Sequence, residues 1–166
     1  MMNLFEFVIP ELAFDAPPIG SQEQLFDLIA DRLLEAGITR DHNEVIEGFR
    51  KREELCSTGV GHGVAIPHSA APSLDRIVVV VVRLNDPIDW HARDNEPVNL
   101  VVALVSPPSM YSLYLQVLAT LARALHLAPV RQLALTAPTA ADAARLIAQS
   151  AQQQEEGGEP LIEPVC

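Results

Sequence analysis

From Gly59 to Ala70 the chain reads GVGHGVAIPHSA, residue types that suit an anion held beside a nucleophile. Glycines alternate at Gly59, Gly61 and Gly63. Glycine tolerates close approaches that a side chain would block, so the N–H groups of this loop could line an anion. Pro67 fixes its own φ and drives Ile66 toward an extended conformation, which presents His68 from a stiff support. An imidazole held in that way is a candidate nucleophile. The same residues are also compatible with a loop that only turns and a histidine without a chemical task. No nucleotide motif is present, because GxGxG lacks the third-glycine spacing of a dinucleotide fingerprint and no Lys-Ser or Lys-Thr follows to complete a P-loop.

The elements on either side must position these residues. Before them, Ser21 and Gln24 form a capping box for a helix with apolar residues at Leu25, Leu28, Ile29, Leu33 and Ala36, closed by Gly37. Thr39 is expected to cap a second helix that buries Val45, Ile46 and Phe49. The N-terminal segment, with Pro10, Pro17 and Pro18, suits a short turn or helix and a brief strand near Leu12 to Phe14. Val64 to Ile66 is short enough for a strand. Arg76 to Leu84 and Val98 to Val105 are nearly unbroken β-branched runs, the pattern of strands buried on both faces, and such strands need helices on each side. Between them the turn-rich segment around Asp89, Asp94, Asn95 and Pro97 is expected to pack Ile88 and Trp90 beneath it.

A long, widely apolar helix is predicted from Ser109, a helical stretch from Pro129 through Leu135, and a last helix capped by Thr139 with Asp142 and running to about Gln153. The reading is an α/β fold with helices on both faces of the sheet, one domain over residues 1–150, and a polar, Gly- and Pro-rich tail over 151–166.

Bulk composition narrows the function classes. At 166 residues and 49% hydrophobic, the chain suits one domain with a real core. Its start lacks a secretory signal, and the valines Val78 to Val82 are far too few to span a bilayer, so a cytoplasmic protein without membrane insertion is expected. A net charge of −11 argues against a broad nucleic-acid surface. The cysteines Cys56 and Cys166 suit a reducing compartment, and Cys56, His62 and His68 lack a fourth ligand at zinc-like spacing, so no metal is expected. His42, His91 and His126 fall on predicted surfaces and receive no role.

The run REELCSTGVGHGVAIPH from Arg52 to His68 resembles the signature of the enzyme IIA domain of the phosphoenolpyruvate-dependent phosphotransferase system, in its fructose, mannitol and nitrogen-regulatory class. A second block, LNDPIDWHARDNEPVNLVVALVSP from Leu84 to Pro107, is similar to that family's other recognisable stretch. The resemblance implies a three-layer α/β/α fold around a mixed β-sheet, and a phosphoryl group carried on His68. Neutral imidazole has a free lone pair at pH 7 and can attack phosphorus, giving a labile phosphoramidate that a second acceptor can take over. Such transfer is mostly positioning and charge stabilisation and calls for no cofactor.

Arg52 matches the arginine that opens the family signature, with an active-site role weighed against a solvated salt bridge. Ser57 and Thr58 either bond a phosphoryl oxygen or hold the loop. Gly61 and Gly63 belong to the expected anion loop. His62, six residues before His68, would point to the same side in an extended segment. It would then bond phosphate, or else be a polar loop residue where family members often carry Asn. Asp94 matches a family aspartate but suits a turn. Two departures stand out: Cys56 replaces a usual glycine, and Tyr114 stands where many members have a second histidine.

The expected donor is an HPr-like phosphocarrier protein. No permease or cysteine-bearing IIB domain is seen on this chain, which favours the nitrogen-regulatory branch, acting on target proteins such as a kinase or ion transporter. The alternatives are a stand-alone IIA subunit of a fructose or mannitol transporter that feeds a IIB domain, and, because of Tyr114, a binding module that does not turn over phosphate.

Overall fold

The computed structural model describes residues 2–157, so Cys166 and most of the expected tail lie outside the described residues. Two short 3-10 turns, Leu4–Glu6 and Pro10–Leu12, lead into β1 (Phe14–Ala16), slightly later than the expected strand. Helix α1 (Gln22–Glu35) starts where Ser21 accepts the Gln24 N–H and ends at Gly37, whose φ of 71° relieves the chain of a left-handed strain that a side chain would feel. Helix α2 (His42–Leu55) is capped by Asp41, whose carboxylate accepts from the Asn43 and Glu44 N–H groups. The expected cap, Thr39, sits before it and accepts from the Asp41 N–H instead, so the carboxylate takes the orphan donors and the hydroxyl shapes the approach.

The strands β2 (Gly59–Gly61), β3 (Val64–Ala65), β4 (His68–Ala70), β5 (Val78–Ile88) and β6 (Val98–Ser106) complete a six-stranded mixed sheet in the order β1-β5-β6-β3-β2, with β4 also paired to β6. β5 outruns the predicted end at Leu84 because its irregular stretch past Arg83 rejoins β6 at Ile88↔Val98. β3 and β4 lie in series along the same edge of β6, parallel to it, at Val64↔Leu100 and His68↔Leu104. Ile66 and Pro67 separate them.

After β6 comes another 3-10 turn, Pro108–Met110, and then α3 (Tyr111–His126), α4 (Ala128–Thr136) and α5 (Ala140–Gly157). The long helix thus starts at Tyr111 rather than Ser109, and α5 runs past the expected Gln153. The valine run feeds two cores. Val78, Val80 and Val82 pack with α1 and α2, while Val79 and Val81 pack with α3, α4 and α5, as the alternation of a strand requires. This is a three-layer α/β/α fold. Among the described residues no single helix is long and apolar enough to cross a membrane.

Candidate functional site

Pro67 stands between β3 and β4 and so decides what His68 can touch. Lacking an N–H, Pro67 cannot donate to the ladder, although its carbonyl still accepts from the Leu104 N–H at 2.9 Å. Across this break the Ile66 carbonyl faces the His68 ring and lies 2.9 Å from Nδ1. A carbonyl only accepts, so Nδ1 carries the proton and Nε2 keeps its lone pair. The Nε2 lone pair in turn receives the Arg52 Nε–H at 2.8 Å.

Burial pushes the His68 imidazole down to about 4. The bond to Ile66 opposes this shift and the nearby Arg52 charge adds to it. The ring is therefore neutral near pH 7, the form in which Nε2 is a nucleophile.

Arg52 reaches the site from the last turn of α2, and its Nη1 also donates to the Cys56 carbonyl at 2.9 Å. The guanidinium thereby ties the helix end to the imidazole. What brings α2 so close is Gly48, where a Cβ would lie 1.8 Å from Ser69 Oγ, 2.9 Å from Ser69 Cβ and 3.1 Å from the Ala70 carbonyl. Gly48→Ala should therefore lift α2 off β4, with Arg52 one turn further along. Overpacking of this kind costs about 1–3 kcal/mol, against roughly 1 kcal/mol of helix propensity gained. We expect urea denaturation to show a net loss of stability; a stabilised variant would mean that propensity outweighs the close approach.

Among the residues predicted from sequence, Arg52, His68 and Tyr114 come together. The Tyr114 ring lies 5.6 Å from that of His68 and stacks on Tyr111 at 5.9 Å. Burial pushes the Tyr114 phenol up to about 12, with Arg52 pulling the other way, so it keeps its proton at neutral pH. Ser57 and Thr58 serve the loop. Ser57 Oγ donates to the Trp90 carbonyl at 2.7 Å and accepts the Gly59 N–H at 3.1 Å. Thr58 Oγ1 accepts the Trp90 Nε1–H at 3.0 Å and donates to Glu53 Oε1, while the Thr58 N–H donates to Glu53 Oε2 at 3.2 Å.

Gly61, His62 and Gly63 lie apart from His68. All three have positive φ, at 91°, 57° and 78°, and they reverse the chain between β2 and β3 instead of extending it. The expectation that His62 and His68 share a side fails for that reason. His62 holds this turn position with φ near 57°, in the left-handed region that His tolerates better than most side chains. The His62 N–H donates to Asp94 Oδ2 at 2.8 Å, and this bond, followed by that from the Glu96 N–H, holds the Asp94 carboxyl below its ordinary value. Asp94 clamps the hairpin tip. The N–H groups of Thr58, Gly59 and His62 are taken by side-chain oxygens, which pins the hairpin at these three positions.

Sequence reasoning missed Gly48, Glu53 and Tyr111. An isolated glycine inside a helical pattern was a readable sign for Gly48. So was a glutamate in the last turn of α2, where the helix dipole disfavours it, for Glu53.

His68 forms a wall common to two cavities. One, of about 560 Å³, runs between α2 and the Pro107–Pro108 turn, and the other, of about 650 Å³, runs between the β2 edge and α3. Arg52, Leu55, Tyr111 and Tyr114 line both. Among the described residues no cluster of His, Cys, Asp and Glu is arranged to hold a metal ion.

Residues 7–150 match the family described as phosphoenolpyruvate-dependent sugar phosphotransferase system, EIIA 2. The chain is similar to a nitrogen regulatory protein of Bradyrhizobium diazoefficiens, with 36% identity over 124 residues that cover 75% of this chain and 80% of the relative. It is also similar to a fructose-specific EIIA component of the PTS system from Haloferax volcanii, with 29% identity over 126 residues that cover 76% and 81%. The crystal structure of the nitrogen regulatory protein IIA-Ntr from Neisseria meningitidis superposes with a TM-score of 0.78 at 29% identity, covering 86% of this chain and 97% of that one. With the match running through both the strand that presents His68 and the helix that delivers Arg52, this chain belongs to the EIIA 2 family of the phosphoenolpyruvate-dependent sugar phosphotransferase system.

Proposed function

We propose that this chain is a phosphohistidine carrier of the nitrogen-regulatory kind, in which His68 Nε2 takes a phosphoryl group from an HPr-like phosphocarrier protein. The observation that carries this reading is the neutral His68 ring, fixed at Nδ1 by Ile66 and directed through Nε2 at the Arg52 guanidinium. In the transfer the Nε2 lone pair forms the new P–N bond as the bond to the donor's nitrogen breaks. Arg52 leaves Nε2 and takes up a phosphoryl oxygen. The positive charge that grows on the ring is met by the Ile66 carbonyl at Nδ1–H, already in place at 2.9 Å.

The test is intact-mass measurement after incubation with phosphoenolpyruvate, enzyme I and the carrier, with the acid-labile group mapped to a fragment. A label on a residue other than His68 defeats the assignment, and no uptake from any cognate carrier leaves a binding module. Because the folded imidazole has its pKa near 4, the rate should not fall through protonation of His68 between pH 8 and pH 5.5. A decline by half near pH 6.5, in buffers that leave the donor unchanged, would contradict the buried neutral ring.

Tyr114 supplies one neutral donor. Its replacement by Phe should slow transfer only a few-fold, since such a bond is worth about 0.5–1.5 kcal/mol. Tyr114→His should speed transfer increasingly as pH falls and a cation forms beside the phosphate. Stopped-flow transfer across pH decides both, and equal rates for Tyr, Phe and His would place this side chain outside the reaction.

The regulatory branch is supported by the resemblance to nitrogen regulatory proteins, whose downstream partners would be target proteins of this chain. The Haloferax volcanii relative favours a second reading, a sugar-transport IIA that passes the group to a IIB domain. Discharge of phosphorylated protein by an added IIB domain would select the second reading.

A further inference from the structure

We propose that Glu53 is a positioning residue, whose carboxylate holds in one frame the two groups that meet the His68 ring: the Arg52 guanidinium at Nε2 and the Ile66 carbonyl at Nδ1. The consequence for phosphoryl transfer rests on the carrier function proposed above, whereas the geometry that Glu53 sets in the resting protein does not.

The bonds close a circuit around the site. Arg52 and Glu53 are consecutive residues in the last turn of α2, about 100° apart around the helix, so they reach to different sides. Arg52 Nε donates to His68 Nε2 at 2.8 Å. Glu53 bonds forward to Thr58, with Oε2 accepting the Thr58 N–H at 3.2 Å and Oε1 accepting from the Thr58 hydroxyl. The Thr58 carbonyl accepts the Ile66 N–H at 3.0 Å, and the Ile66 carbonyl lies 2.9 Å from His68 Nδ1. From one turn of α2, therefore, one arm reaches Nε2 directly and the other reaches Nδ1 through Thr58 and Ile66. The first aims the guanidinium and the second holds the carbonyl that fixes the tautomer. Glu53 is the joint between them.

The joint is stiff because it is also bonded to the core. Trp90 Nε1 donates to Glu53 Oε1 at 3.2 Å and to Thr58 Oγ1 at 3.0 Å. Trp90 is fully buried and meets Phe26 edge-on at 6.0 Å, and Phe26 stacks on Phe49 at 4.9 Å. Phe49 precedes Glu53 by one helical turn, on the same face of α2. A carboxylate near a helix C-terminus works against the helix dipole, so the stability of α2 gives no reason for it. A residue that breaks a local rule while closing a nonlocal circuit is where a functional role is expected.

The experiment compares the full chain with Glu53→Gln and Glu53→Ala. Gln keeps the length of the side chain but sets its NH2 against an N–H, that of Thr58 or that of Trp90 according to the orientation of the amide. Ala removes the acceptors altogether. In the parent, ring-nitrogen NMR spectra of His68 at neutral pH should show Nδ1 protonated and Nε2 bare. In the variants the two resonances should draw together as the Nε2–H tautomer gains population, further in Ala than in Gln. The maximal transfer rate at saturating carrier should fall about 5- to 30-fold, less than the roughly 10²-fold that a misplacement of about 1 Å can cost, while the carrier concentration for half that rate stays within a factor of about two. Ile147→Val, a core change in α5, controls for lost stability and should move neither reading. Ring resonances unmoved in both variants would overturn the proposal, and so would resonances that move while the maximal rate does not. A half-maximal carrier concentration that rises at an unchanged maximal rate would place Glu53 in carrier binding instead, and resonances displaced equally by Ile147→Val would reduce the effect to lost stability; either result overturns it. If even the parent takes up no phosphoryl group, the carrier function falls, and the ring resonances alone decide whether Glu53 positions the pair.

Discussion

Replacing His68 by alanine should abolish acid-labile phosphorylation and, at the same time, make the fold less sensitive to acid. The first effect follows from the site, where Nε2 of this ring is the nitrogen facing Arg52 with an unprotonated lone pair. The second follows from burial. In the unfolded chain the imidazole takes a proton near pH 6.5, whereas in the folded protein it does so only near pH 4. Between those values protons bind the unfolded chain better, so the contribution of this ring is complete above about pH 6.5 and is lost as pH falls toward 4. The loss amounts to about 2 kcal/mol between pH 7 and pH 5 and about 3 kcal/mol by pH 4. The alanine variant lacks this slope. Its own cavity cost is nearly independent of pH, so the difference between the two urea-denaturation profiles isolates the titration. Parallel profiles would mean that the ring is not desolvated, and retained phosphorylation at a normal rate would remove His68 from the mechanism.

Much of this arrangement was legible in the sequence because it rests on local rules. Pro67 reads as a stiffener, and the structure adds that it stands between β3 and β4 with the Ile66 carbonyl facing the His68 ring. The alternating faces of Val78 to Val82 and the capping pair Thr139 and Asp142 are also period and cap signals. What escaped was tertiary. The glycines at positions 61 and 63 announce backbone freedom but not its use, and only the φ values show that the freedom reverses the chain and carries His62 away from His68. Gly48 looks like a weak point in a helix until Ser69 is found against it. Glu53 owes its role to Trp90, 37 residues later in the chain, and no local pattern links them.

Arg52→Gln should slow phosphoryl transfer by about 10²–10³, the range typical for removing one preorganised donor aimed at developing charge. The guanidinium is anchored before the phosphoryl group arrives, with Nη1 on the Cys56 carbonyl at 2.9 Å and Nε on His68 at 2.8 Å. Its reorganisation in the proposed transfer would therefore be short, a shift from Nε2 to an oxygen of the phosphoryl group that Nε2 takes up. Lysine keeps the charge but presents a single ammonium that cannot hold the Cys56 carbonyl and reach the ring through a planar fork, so Arg52→Lys should fall between, at about 10- to 100-fold. The two variants also separate the causes of the depressed imidazole. Burial is the larger cause and the Arg52 charge a smaller one, so in Arg52→Gln the His68 pKa should rise while staying below its ordinary value. An NMR titration of the His68 ring beside stopped-flow transfer reads both quantities on the same protein. A Gln variant that transfers within a factor of about three of the parent would reduce Arg52 to a structural tie between α2 and the loop. An imidazole that returned fully to the ordinary range would show that the arginine, rather than the surrounding core, is what keeps this nucleophile unprotonated.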